Sequence, residues 1–303
     1  MLVWNMGKIM LKKALDDYKT IYMPYRNFAD RTREEYLNDL QGFVTFLDQA
    51  GVGDVRDIGL PIIERYAAHL EHEGFASLTR KRKIVAVRSF LSFLHQDGYI
   101  ETNLANKVVL PYTESPVPNV LTQVECDRLR KVCAENVRDR AIIELLLQTG
   151  IKLSELSALK VEDIDIEPIK DYSAKRTGSM RILESRGKPE RIIPLNTKAC
   201  DALGSYRDER SHSDTTIFFL NRFGEPMQER GIQKMLRKYL KLAKIGNASI
   251  QTLRHTFGAH HIAKGTELKT VQEVMGLKDT RSVSIYQSLA KEIVSRELQK
   301  NAL

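Results

Sequence analysis

Between Val108 and Val120 the chain reads Val-Val-Leu-Pro-Tyr-Thr-Glu-Ser-Pro-Val-Pro-Asn-Val, and this stretch constrains the architecture more than any other. Each proline in it fixes φ and lacks a backbone N–H, so the segment reads as extended chain and not as helix. Apolar residues recur at helical spacing on both sides of it. The expected organisation is a helical unit over residues 1–109, an extended connector over residues 110–120, and a second unit over residues 121–303.

In the first unit, residues from Lys8 to Tyr22 carry a loose apolar stripe. Thr32 with Glu35 gives a capping-box signal ahead of Tyr36, Leu37, Leu40, Phe43, Val44 and Leu47. Pro61 suits the first turn of a third helix, which would bury Ile62, Ile63, Tyr66 and Leu70 and stop at Gly74. A fourth helix is expected from Ser77 to about Gln96. It opens with the cationic run Arg80-Lys81-Arg82-Lys83, which charge alone assigns equally to a solvated face or to a polyanion contact.

The second unit begins with another capping box, Thr122 with Glu125, followed by a helix to about Asn136. An apolar helix through Ile142 and Leu147 then stops at Gly150. Met180 to Leu183 and Arg191 to Pro194 have strand composition, and Ser185-Arg186-Gly187-Lys188-Pro189 between them supplies a turn, which predicts a β-hairpin. Further helices are expected from Thr197 to about Arg207 and from Gln228 to Ile245, the latter bearing Lys234, Arg237, Lys238, Lys241 and Lys244. Leu253 to Lys264 has helical spacing and stops at Gly265, so Gln251 and Arg254 face the same way. A short helix with Leu268, Val271 and Val274 stops at Gly276, Ile285-Tyr286 falls on another, and Leu289 to Leu298 reads as a final amphipathic helix. The fold class is mainly α with a small β-hairpin or sheet in the carboxy-terminal domain.

A chain of 303 residues with 42% hydrophobic content can bury two substantial cores. The net charge of +8 favours a polyanionic partner. That charge is uneven: residues 1–110 hold 15 Lys+Arg against 14 Asp+Glu, leaving 32 against 25 for the remainder. The excess falls beside Arg254 and Tyr286. Cys126, Cys133 and Cys200 have neither metal-ligand nor disulfide-framework spacing, which argues for a reducing cytosolic compartment and against structural zinc. No apolar run reaches the roughly 18 residues of a membrane span, and the opening residues are too short for a signal-peptide core.

The order Leu253-Arg-His-Thr-Phe, a helix, Val271-Gln-Glu-Val-Met-Gly and then Ile285-Tyr286 resembles the second signature box of the tyrosine recombinases, the phage-integrase and Xer group of DNA strand-exchange enzymes. Thr149-Gly-Ile-Lys-Leu-Ser-Glu-Leu156 resembles their first box, and the resemblance spans nearly the whole chain. It implies a helical core-binding domain that clamps one side of a duplex, with Arg80, Lys81 and Lys83 on the DNA backbone, and a mixed α/β catalytic domain. Lys188 would contact DNA as well, and Lys238 and Lys241, whose charge fits a DNA-facing surface or a solvated face, are candidates for the same contact. The implied activity is site-specific cutting and rejoining of double-stranded DNA through a 3′-phosphotyrosyl intermediate at Tyr286. It needs no metal or other cofactor, and takes place in the cytoplasm. The active form would be a homo-oligomer, a tetramer on two DNA sites, or an assembly with a hetero-partner recombinase, with the tail helix docked on a neighbouring protomer and no membrane involved.

Such chemistry requires in-line attack, charge stabilisation on the non-bridging oxygens, and a proton for the leaving 5′ oxygen. The catalytic set carried over from the family is Lys152, Arg186, Gln251, Arg254, Leu277 and Tyr286. Arg254 and Tyr286 match the family pattern. Lys152 stands where an arginine is usual, Arg186 where a lysine is usual, and Gln251 and Leu277 where histidines are usual; Lys188 is the other candidate for the lysine of the hairpin turn. Lysine cannot make the bidentate fork of arginine, and arginine is a poor general acid. Three function classes follow: an active divergent recombinase, a recombinase-fold protein that binds DNA as an accessory or regulator without cutting it, and a helical interaction protein unrelated to DNA.

Overall fold

The computed structural model describes residues 11–113, 117–167, 176–183, 190–277 and 280–300. The chain divides into two compact units, Met1–Pro116 and Val117–Leu303.

In the first unit, α1 (residues 11–25) carries a π-helical turn at Tyr18–Tyr22. It is followed by α2 (Asp30–Gln49), α3 (Leu60–His72) and α4 (Ser77–Gln96). The apolar stripes converge as their spacing requires: Leu40, Phe43 and Leu47 of α2, Ile63, Tyr66 and Leu70 of α3, and Ile84, Val87, Phe90 and Leu94 of α4 share one core. Pro61 sits in the first turn of α3 as expected. The α2 start differs from the expectation. Its N-cap is Ala29, one turn before Thr32, because Asp30 already places an acidic group in the first turn and Arg33 N–H bonds the Ala29 carbonyl. Glu35 pairs instead with Arg31 across one turn, at 3.1 Å.

The second unit comprises α5 (Gln123–Cys133), α6 (Val137–Thr149) and the short α7 (Leu153–Ser157), then three strands, β1 (Ile164–Ile166), β2 (Gly178–Ile182) and β3 (Arg191–Leu195). After them come α8 (Thr197–Glu209), α9 (Glu229–Leu242), α10 (Ile250–Ala263), α11 (Leu268–Met275) and α12 (Thr280–Lys300). The Thr122–Glu125 capping box is present at α5. Gly150 and Gly276 end α6 and α11 in the left-handed conformation, with φ of 58° and 59°.

The hairpin pairs Met180 with Ile193 and Ile182 with Arg191, and β1 adds antiparallel to β2 with Ile164 opposite Met180. A three-residue strand is too short to register as a period, which is why β1 has no counterpart in the sequence reading. Met180, Ile182, Ile193 and Leu195 point inward to a core shared with Ile142, Leu145 and Leu146 of α6 and Leu236 and Leu240 of α9. Tyr286 and the expected tail helix lie on one continuous helix, α12, not two, since neither Gly nor Pro interrupts residues 280–300.

Candidate active site

The Ser249 side chain accepts a hydrogen bond from the Thr252 backbone N–H and caps α10, setting the rotation of everything after it. Leu253, Phe257 and Ala259 turn into the core, which places Gln251 and His255, one turn apart, on a shared face. Arg254 is only 3% exposed. Its two terminal nitrogens donate to the Gly150 carbonyl at the end of α6 and to the Met275 carbonyl at the end of α11, the latter at 2.6 Å. Helix carboxy-termini carry partial negative charge and unpaired carbonyls, so a buried guanidinium is stabilised there. Burial lowers the Arg254 pKa and the nearby Tyr286 and Glu155 oppose this, and a guanidinium in such a setting stays charged.

Lys152, Gln251 and Arg254 line one cleft of about 340 Å³, together with Arg237 of α9. The α9 helix buries Ile232, Met235, Leu236, Tyr239 and Leu240, so its basic residues face outward. Lys238 and Lys241 are exposed on that helix, and the Lys238 ammonium lies 5.1 Å from the Tyr239 ring centre. The sequence places Arg237 in this basic series; only the tertiary fold, which brings it to the same cleft as Lys152, Gln251 and Arg254, shows that it lines the cleft.

Beneath the cleft stands Glu155, the third residue of α7. It accepts the Lys152 backbone N–H at 2.9 Å and Arg191 Nη2 at 2.8 Å, and lies 3.7 Å from the Lys152 ammonium. Burial pushes this carboxyl up, but Arg191 and the Lys152 N–H outweigh it and hold the group below its ordinary range. Arg191 Nε also donates to the Val274 carbonyl at 2.8 Å. The foot of the β2–β3 hairpin is thereby fixed to α7 and to the end of α11. Gly276 is left-handed, with φ of 59°, and a Cβ there would also come within 2.9 Å of the Arg191 guanidinium, so the position favours glycine. Arg186 and Lys188, the two candidates for the hairpin cation, lie outside the described residues.

Tyr286 does not line the cleft. Its side chain packs with Phe257, Val271, Met275 and Leu289 and is 2% exposed. A Cβ on Gly258 would fall 2.9 Å from the Tyr286 ring, so that glycine lets α10 and α12 approach. Burial raises the phenol pKa, with the Arg254 charge partly offsetting it, so the hydroxyl is protonated at neutral pH. The phenolic oxygen lies 3.0 Å from His255 Nδ1, and His255 Nε2 lies 3.2 Å from the Gln251 amide nitrogen. His255 sits inside the quoted Leu-Arg-His-Thr-Phe run without a role in the sequence reading; its position one turn after Gln251 was the available signal. Leu277 is partly buried against the apolar cluster around Tyr286 and offers the site no donor.

In the first unit, the Arg80 guanidinium pairs with Glu71, Lys81 Nζ bonds Thr113 Oγ1 at 3.1 Å, and Lys83 Nζ pairs with buried Asp39 at 3.1 Å. Asp39 also pairs with Arg82, so Lys83, with its side chain 14% exposed, is committed to holding α2 against α4. A larger cavity of about 510 Å³ lies along the later turns of α10, where His260 and His261 bond the Leu121 carbonyl and Thr266 Oγ1.

The phage integrase family model matches residues 119–292, and the model for the phage integrase N-terminal SAM-like domain matches residues 15–98. The fold and these matches define a two-domain tyrosine recombinase, with a SAM-like helical domain ahead of a mainly helical catalytic domain. The chain belongs to the phage integrase family. It is 30% identical over 303 aligned residues to the tyrosine recombinase XerC of Oceanobacillus iheyensis, covering 96% of each chain. It is 28% identical over 281 residues to XerC of Bacillus subtilis, covering 89% of each. Among solved structures it is similar to XerH recombinase bound to palindromic difH substrate in a post-cleavage complex (TM-score 0.70, 17% identity, 92% of this chain and 81% of that one). It is also similar to a lambda integrase tetramer bound to a Holliday junction (TM-score 0.72, 17% identity, 91% and 76%). At those identities the likeness concerns the fold.

Proposed function

We propose that this protein cuts and rejoins double-stranded DNA at a specific site through a 3′-phosphotyrosyl intermediate at Tyr286. The observation that carries the reading is a cleft lined by Lys152, Arg237, Gln251 and Arg254, with Tyr286 on the helix packed against α10. Three cations lining one cleft suit the non-bridging oxygens of a phosphodiester. The Arg254 donors not spent on Gly150 and Met275 are held in place by those two bonds, so the guanidinium meets the phosphate without reorganising. Lys152 supplies a point charge, Gln251 a neutral donor, and Arg186 or Lys188 of the hairpin turn the proton for the leaving 5′ oxygen. Attack by the phenol conserves the ester's energy, so rejoining needs no nucleotide cofactor. We assign DNA-backbone contacts to Arg80 and Lys81, Lys188, and the α9 cations Lys238 and Lys241, whereas Lys83 stays with Asp39; the active species is an oligomer on paired sites.

The test uses a nicked duplex that carries the protein's own target, recovered by selection from random duplexes, with chelator present. Wild-type protein should give a denaturation-resistant protein–DNA band that Tyr286→Phe abolishes without weakening retention of the duplex. A band that persists in Tyr286→Phe overturns the assignment. The second reading, a DNA-binding accessory without cleavage, is supported by Leu277, which brings no donor, and by Lys152 in place of a guanidinium. Retention of DNA with no band from any substrate containing the target decides for it.

A further inference from the structure

Gln251, His255 and Tyr286 form a hydrogen-bonded row that leads from the cationic cleft to the phenol. We propose that His255 is the group that takes the proton from Tyr286 as it attacks, and that Gln251 selects the imidazole tautomer that makes this possible. The proposal rests on the reading of Tyr286 as nucleophile.

A protonated phenol is a weak nucleophile, and this one is buried among apolar side chains that oppose its ionisation. Its proton must pass to a base as the bond to phosphorus forms. His255 Nδ1 stands 3.0 Å from the phenolic oxygen, within reach for direct transfer, with the two rings inclined at 42°. Burial, and then the Arg254 charge, keep the imidazole below its ordinary pKa, so at neutral pH it is uncharged and one ring nitrogen holds a lone pair. Which nitrogen depends on Gln251. With the amide nitrogen facing Nε2, the amide donates and the ring proton sits on Nδ1, pointing at the phenol. A half-turn of the amide presents its oxygen to Nε2–H, and the lone pair then sits on Nδ1. The second arrangement is the productive one, and the amide oxygen also stabilises the imidazolium that forms.

In the step itself, the bond between the Tyr286 oxygen and phosphorus forms, the bond from phosphorus to the 5′ oxygen breaks, and the phenolic proton moves to His255 Nδ1. The 5′ oxygen takes its proton from the leaving-group acid proposed above, so the proton lost by the phenol to His255 is matched by the one the acid gives to the departing hydroxyl. On rejoining, Nδ1 returns its proton to the phenolic oxygen.

Single-turnover formation of the covalent adduct, on a nicked duplex and on the same duplex with sulfur as the bridging 5′ atom, tests this. A thiolate leaves without a proton, so loss of a leaving-group acid is masked on sulfur whereas loss of a base at the nucleophile is not. His255→Ala should slow adduct formation about 10²-fold or more on both substrates, with DNA retention kept. His255→Asn keeps a hydrogen-bonding group near the position of Nδ1 but cannot take up a proton, and should be as slow. Gln251→Met should be slow on both substrates as well. Wild-type speed in His255→Asn would overturn the proposal by reducing the residue to positioning, and rescue of His255→Ala on sulfur would overturn it by moving its action to the leaving group. The underlying reading fails separately, if wild-type protein forms no adduct.

Discussion

A guanidinium that spans two helix ends cannot be exchanged for another cation. Arg254→Lys leaves at least one of the Gly150 and Met275 carbonyls unpaired in a buried setting, a loss of about 1–3 kcal/mol of stability measurable by denaturant unfolding. The same change removes the planar fork, and adduct formation should fall by on the order of 10²–10³. At Lys152 the direction is opposite. Lys152→Arg supplies the fork that the cleft lacks on the α7 side, and combined with Arg186→Lys it should raise adduct formation above either single change; equal or lower activity in the double variant would show the sites uncoupled. Arg237 shares the cleft with both, so Arg237→Ala should reduce adduct formation by about 10-fold or more, whereas Lys238→Ala on the exposed side of α9 should mainly weaken DNA retention.

At the scale of elements, the site depends on helices that approach unusually closely. Gly258→Ala inserts a Cβ 2.9 Å from the Tyr286 ring, and a ring held among Met275, Leu289 and Phe257 has no flexible end to move aside. Overpacking of this kind costs about 1–3 kcal/mol, more than the roughly 1 kcal/mol gained from helix propensity, so the variant should unfold at lower denaturant and lose adduct formation. The Glu155–Arg191 pair clasps the hairpin foot to α7 and α11. Because the folded-state pKa of Glu155 is depressed, its contribution to stability is present above the unfolded carboxyl value of about 4.3 and is lost as pH falls through the folded value. Glu155→Gln should therefore flatten the acid limb of a stability–pH curve, and Glu155→Ala, by removing the carboxylate partner of the partly buried Arg191 guanidinium, should cost about 3 kcal/mol at neutral pH. These contacts were not legible in the sequence. Residues 155, 191 and 274 are remote along the chain, and no local propensity encodes their meeting.

For the molecule as a whole, the uneven charge sets the partner chemistry. An excess of 32 basic over 25 acidic residues beyond residue 110, with α9 presenting Lys238 and Lys241 outward, should make duplex retention fall steeply with salt through counterion release. Retention that stays constant between low and moderate salt would contradict a phosphate-dominated interface. The pairing of Arg80 with Glu71 and of Lys83 with Asp39 bears on the same measurement: Lys81→Ala should lower the salt slope more than Lys83→Ala, whose main effect should be on the stability of the first unit.

The sequence by itself determined the helical and hairpin elements, most of their ends, and the family. Each of those rests on short-range physics: a capping side chain three residues from its partner, a glycine that alone turns left-handed at small cost, a stripe that recurs every three or four residues. The same locality explains its errors at Thr32, where a capping pattern lay inside a helix that had already begun, and at α12, where two stripes belonged to one helix. Tertiary structure alone decided that Arg237 lines the cleft beside Lys152, that Arg254 ties two helix ends, that Lys83 is bound to Asp39, and that His255 connects Gln251 to Tyr286. These depend on which faces of α9, α10 and α12 meet, and that is fixed by the burial of side chains far apart in the chain.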